Sequence, residues 1–133
     1  MENNNMEKID QETLSVILKE HQLWLESQGA RGERADLSRR SLQSVNLLGA
    51  DLRKADLHEA DLRWAVLERA DLRWAVLERA NLGKATLERA DLFKSNLRAA
   101  NLSGVDLEGT HLRQANLSEA SLKRAYLPGA NLV

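Results

Sequence analysis

The sequence predicts an all-β solenoid of stacked coils preceded by one helix, and three features of the chain carry that reading. Leucine stands at every fifth position from Leu37 to Leu132, twenty times without a break. Alanine recurs two residues before it, as in Ala55-Asp56-Leu57. The first 34 residues lack this phrase and carry apolar residues at helical spacing instead.

Period five fits neither regular element alone. On a helix, leucines five apart advance by about 140° and scatter around the cylinder. On a flat strand an odd spacing sends alternate leucines to opposite faces. A short extended piece followed by a corner solves both problems. Ala55 and Leu57 then point inward, Asp56 between them points out, and His58 and Glu59 make the turn. Such a chain winds into coils with Ala and Leu inside, stacked as parallel neighbours roughly 4.8 Å apart.

The phrase A(D/N)LXX, nearly verbatim from Ala50 to Asp61 and from Ala80 to Leu92, resembles the repeat of the pentapeptide-repeat family. The resemblance covers residues 35–133 and implies a right-handed, four-sided parallel β-helix with four pentapeptides to a coil. Twenty repeats then make about five coils. A twenty-residue echo agrees with four sides: Glu68, Glu88 and Glu108 recur, and Gly49, Gly109 and Gly129 follow at the next outward position.

Residues 1–34 are read as a lead-in. Leu14, Ile17, Leu18, His21, Trp24 and Leu25 share one face of a helix over about 11–28,. Asp10 is the expected N-cap and Gly29 the C′ residue. An amphipathic helix needs cover, and the first coil of a solenoid exposes apolar side chains and unpaired backbone. The helix is therefore expected to cap that coil through Leu14, Ile17, Leu18, Trp24 and Leu25, with His21 packing among them. Arg40, standing where the phrase has Ala, is expected to make the first coil irregular and to turn its guanidinium outward.

Catalytic chemistry finds no foothold. Thirteen of the twenty positions before the central leucine are Asp or Asn. Carboxylates that recur at every level single out no site, and they are expected to bond backbone groups at the corners. No nucleophile–base pair or metal-ligand cluster stands out, cysteine is absent, and the glycines form no phosphate loop,. The expectation is a non-enzyme without cofactor or metal. No apolar run nears the roughly 20 residues of a membrane span, and Met1 to Gln11 does not read as a secretory signal,. A cytoplasmic location follows as the default.

Placing every twentieth residue together sorts the outward positions. One side collects Arg53, Lys54, Arg73, Trp74, Phe93, Lys94, Arg113 and Gln114, a candidate binding face of cations interleaved with aromatics,. The plain alternative is a solvated face on which Trp74 lies across Lys54 and Lys94. The opposite side collects Arg63, Trp64, Lys84, Lys123 and Arg124, and the other two mix charges. The expected function is a protein–protein interaction module presenting a rigid surface, with a partner of unknown identity. Some members of the family it resembles mimic duplex DNA, bind type II topoisomerases and confer quinolone resistance. That needs a continuously negative surface, whereas here 19 Lys and Arg stand against 20 acidic residues. Direct nucleic-acid binding is disfavoured by a pI near 6.3,.

Two expectations concern assembly. Tyr126, Pro128 and Val133 make the last coil more apolar outside, which suggests a two-fold dimer through that end. Residues 61–70 and 71–80 are identical. Ten residues are half a coil, so Trp64 and Trp74 should face opposite ways. A ten-residue insertion would turn one half of the rod against the other, so any essential surface is expected to lie within one half.

Overall fold

The computed structural model describes residues 6–131. From Asp36 onward, residues pair in parallel with those twenty places further on: Asp36 with Asp56, Ser41 with Asp61, Asn46 with Val66, Asp51 with Asp71, and so to His111 with Asn131. Four pairings five residues apart, all with the same offset, give each coil four sides. The faces are numbered here by their leucines in the first coil: face 1 from Leu37, face 2 from Leu42, face 3 from Leu47 and face 4 from Leu52. Each pairing is a one-residue bridge, so continuous strands do not develop. Asp56 shows the pattern, donating its N–H to Ala35 O at 3.0 Å while its carbonyl accepts Leu37 N–H at 2.8 Å.

Every corner is a tight turn. Leu52 C=O accepts Ala55 N–H at 3.0 Å, and Lys54 between them has φ +63° and donates to Arg73 O in the next coil at 2.9 Å. A turn with positive φ at its third residue favours glycine. Here fifteen such corner residues are not glycine and four are. The left-handed conformation costs roughly 1 kcal/mol or more for an L-residue, and the bonds to the coils above and below hold it. Gln114→Gly, at an exposed corner with φ +59°, is therefore expected to raise stability by up to about 1 kcal/mol in urea melts.

The repeats place Leu and Ala in one continuous core, from Ala35 and Leu37 to Leu112. Ser95 and Thr110 occupy alanine positions, and each stays buried by donating its hydroxyl to a leucine carbonyl, Leu92 O at 2.8 Å and Leu87 O at 2.7 Å. Toward the C-terminus, Leu117, Leu122 and Leu127 with Ala115, Ala120 and Ala125 are only partly buried. Among the described residues, that end of the core is the less covered one.

At the other end, helix α1 spans Gln11–Glu26. Asp10 is its N-cap, accepting Thr13 N–H at 2.7 Å. The helix ends two residues earlier than the sequence suggested. Gln28, at φ +55°, takes the left-handed position expected of Gly29, and Gly29 N–H bonds back to Trp24 O at 2.8 Å,. Gly32 is then obligatory, because any Cβ there would sit 2.2 Å from Glu20 O at φ +72°. This close approach lets Glu33 N–H reach Glu20 O and feeds the chain directly under the helix.

Leu14 and His21 are fully buried by the cap, and Ile17 and Leu18 pack against the core in part. Trp24 and Leu25 do not join that core. They are half-buried beside face 4, with Trp24 stacked on the His21 ring at 5.7 Å. His21 is the hinge pin of the cap: Nδ1 accepts Ala35 N–H and Nε2 donates to Arg53 O, both at 2.9 Å. A second departure concerns the extreme N-terminus. Lys8 bridges Ser41 in parallel, with Ile9 N–H on Ser41 O and Ser41 N–H on Glu7 O. This adds one rung above face 2 and buries Ile9. At Arg40 the first coil keeps its register but lacks the turn bond to the leucine carbonyl three residues back that every later corner has, a local irregularity where one was expected. Arg40 is half-exposed and its carbonyl accepts Asp61 N–H in register at 3.0 Å, so the side chain leaves while the backbone stays.

Candidate functional site

The Asp and Asn residues hold the corners. Twelve of them, from Asp36 to Asn116, accept the backbone N–H two residues on, as Asp71 does from Arg73 at 3.2 Å. This local bond fixes the turn. Among the described residues, no group of three His, Cys, Asp or Glu stands ready to hold a metal. No helix among them is long and apolar enough to cross a membrane.

Face 4 gathers the candidate binding residues Arg53, Lys54, Arg73, Trp74, Phe93, Lys94 and Arg113. They do not behave alike. Arg53 grips Asp51 through Nε and Nη2 at 2.9 and 2.7 Å, and Arg73 grips Asp71 at 2.8 and 2.6 Å. Longer contacts link Arg53 to Asp71 at 3.6 Å and Arg73 to Asp91 at 3.8 Å. The result is a ladder of alternating sign. The Arg53 bond holds the Asp51 carboxyl below its ordinary range, and Asp71 pushes the Arg73 guanidinium further up. Those two arginines are structural. Lys54, Lys94 and Arg113 are exposed and have no carboxylate partner among the described residues.

The aromatic arrangement differs from the expected one. Lys54 Nζ and Arg73 Cζ each lie 6.0 Å from the Trp74 ring centre, but Lys94 Nζ sits over Phe93 at 5.4 Å. Phe93 meets Trp74 edge to face at 5.7 Å. Trp64, ten residues earlier, belongs to face 2, under Arg63 at 5.7 Å. The two tryptophans thus lie on opposite faces.

Beside face 4 the end of α1 encloses a groove of about 650 Å³, lined by Trp24, Leu25, Gln28, Gly29, Arg53, Lys54 and Trp74. Sequence reading missed it, because it assigned Trp24 and Leu25 to the cap. Of the C-terminal residues expected at a dimer end, Tyr126 is 57% exposed and Pro128 is exposed, while Val133 lies outside the described residues.

The remaining faces are either neutralised or strained by charge. On face 1, Arg98 bridges Glu78 at 2.8 Å and Glu119 at 2.7 Å, and Arg39 meets Glu59 at 2.8 Å. Face 3 stacks Glu68, Glu88 and Glu108 with Arg69 and Arg89 around them. Burial, with Asp106 and Glu68 nearby, raises the Glu88 carboxyl above its ordinary value. A raised carboxyl favours the folded state at low pH and opposes it once ionised. Glu88→Gln is therefore expected to raise the midpoint of urea unfolding slightly at pH 7, by less than about 1 kcal/mol, and to have no benefit near pH 4. Equal shifts at both values would show that the glutamate ladder is not the cause.

Comparison with known proteins agrees with this geometry. The family model for pentapeptide repeats matches residues 33–69, 70–109 and 95–132. The pentapeptide repeat protein Rfr23 from the cyanobacterium Cyanothece 51142 is 35% identical, with a TM-score of 0.55 over 77% of this chain and 67% of its own. The pentapeptide repeat protein alr5209 from Nostoc Pcc 7120 is 29% identical, with a TM-score of 0.54 over 85% of this chain and 92% of its own. QnrB1, a plasmid-mediated fluoroquinolone resistance protein, reaches 23% identity and a TM-score of 0.31 over 79% of this chain and 68% of its own. No curated protein sequence matches the chain. Repeat, pairing offset and relatives lead to one assignment: the chain belongs to the pentapeptide-repeat family.

Proposed function

We propose that this protein is a non-enzymatic interaction module, a right-handed β-helical rod whose rigid sides engage another protein in the cytoplasm. The observation that carries the reading is the division of labour among its charges. The carboxylates and amides of the repeat are used at corners, and the cations of Arg53 and Arg73 are used in a ladder. Lys54, Lys94 and Arg113, by contrast, meet no carboxylate among the described residues, and the two lysines lie over the exposed side's aromatics, Trp74 and Phe93. Face 4 counts five cations (Arg53, Lys54, Arg73, Lys94, Arg113) against three carboxylates (Asp51, Asp71, Asp91), a balance of +2. That sign opposes the DNA-mimicking alternative, which needs a negative surface.

Photo-crosslinking residues placed at outward positions of each face, in cells of the native host, test the module reading. Protein adducts from one face support it, and no protein adduct from any face overturns it. Recovery of topoisomerase subunits from the Glu68, Glu88 and Glu108 side would instead support DNA mimicry. The last coil, with Leu127 partly buried and Tyr126 exposed, fits a two-fold dimer through that face of the coil. Sedimentation at tens of micromolar should then show a dimer that Leu127→Glu dissociates, and a wild-type monomer would refute it.

A further inference from the structure

Helix α1 uses only part of its apolar stripe. Leu14 and His21 are buried on the coil and Ile17 and Leu18 pack beside them, but Trp24, stacked on the His21 ring, and Leu25 stay half-buried and line a groove. They share it with Trp74, with Lys54 at its rim. Arg34, whose Nε bonds Lys54 O, brings a further exposed cation to that rim. From there the unpaired cations continue down face 4 through Lys94 to Arg113.

Resting on the interaction-module reading, we infer that this groove and the cations below it bind an acidic peptide segment carrying one large apolar side chain. The apolar residue enters between Trp24, Leu25 and Trp74, and the segment's carboxylates run down the rod toward Lys94 and Arg113. Three features select this occupant. The groove walls are aromatic and aliphatic, which rewards burial of an apolar anchor. Lys54 at the rim and Lys94 and Arg113 below it meet no carboxylate among the described residues, so an acidic segment gains attraction there without breaking existing ion pairs,. Single-stranded nucleic acid fits less well, because stacked bases need an open ring face. The Trp74 ring already has Lys54 and Arg73 about it and Phe93 in perpendicular contact with it.

The test pans a random twelve-residue peptide library displayed on phage against the full chain, then measures selected peptides by the fluorescence of the tryptophans. Selected sequences should be enriched in Asp and Glu around one aromatic or large aliphatic residue. Their affinity should fall roughly tenfold or more with Lys54→Glu combined with Lys94→Glu, and similarly with Trp24→Ser. The lysine changes are at exposed corners and leave the cap untouched, so they remain decisive if Trp24→Ser unfolds the helix. Selected peptides without acidic enrichment, or acidic peptides indifferent to the lysine reversals, would overturn the inference. So would tighter binding of a twelve-nucleotide deoxythymidine strand, which would replace the peptide by nucleic acid. Crosslinking from a different face in cells would leave the module reading standing while this site failed.

Discussion

His21→Leu is expected to destabilise the protein by about 3 kcal/mol, although leucine is apolar and suits a helical stripe. The imidazole is fully buried and bridges two elements, accepting Ala35 N–H and donating to Arg53 O. Leucine would fill the space and leave both backbone groups buried without partners, at about 1–3 kcal/mol each. Urea unfolding at pH 7.5 measures the loss, and a change below about 1 kcal/mol would mean that water or a neighbour replaces the ring. The same geometry fixes the neutral tautomer with its proton on Nε2, since a second proton on Nδ1 would face the Ala35 N–H.

A pH dependence follows. Burial pushes the His21 pKa below its ordinary value; the bond to Arg53 O and the charge of Asp51 oppose this, and Arg34 and Arg53 reinforce it. The unfolded chain therefore takes up a proton, near pH 6.5, that the folded chain refuses. Stability is fully present above that value and falls as pH drops toward the folded pKa, where it levels off. Wild type minus His21→Leu should thus shrink on acidification from pH 7.5 to 5. A difference that stays constant would contradict the buried neutral ring. Because the ring ties α1 to the first coil, the cap should loosen first, read as faster hydrogen exchange at Ala35 before the leucine core opens.

What the sequence disclosed follows from repetition. Each leucine reports the same structural position, so twenty of them reinforce one another and the coil is unmistakable. The corner role of Asp and Asn was legible for the same reason. Single events were not. The rung at Lys8 is one bridge anchored by one apolar residue, Ile9, and leaves no period to read. Trp24 and Leu25 continue the helical stripe faithfully, but a stripe does not state how deeply each of its residues is buried. The candidate face was assembled correctly by counting in twenties. Which of its cations were free depended on the reach of each guanidinium to the Asp two residues before it, and only coordinates supply that.

Removing residues 71–80 should give a folded, shorter rod that has lost the peptide site. The deletion keeps leucine at every fifth position, so coils re-form with residue 54 above residue 84 where it now lies above residue 74. The new neighbours are tolerable: Glu68 would meet Arg98, Glu59 would meet Arg89, and Trp64 would lie beside Lys94. Loss of half a coil should lower the melting temperature while leaving one cooperative transition. From sequence alone, a contact surface confined to one half was expected, and binding would then largely survive. The structure changes that outcome, because the groove takes Trp24 and Lys54 from before the second copy and Trp74 from within it. After deletion Lys84 stands where Trp74 stood, and Ser103 and Gly104 replace Phe93 and Lys94 below it. Affinity for the acidic peptide should therefore fall at least as far as with Trp74→Lys in the full chain, a loss of roughly tenfold or more. Unfolding of the deletion would refute the modular coil. A folded deletion that binds the peptide as wild type does would remove Trp74 from the site and return the contact to one half of the rod.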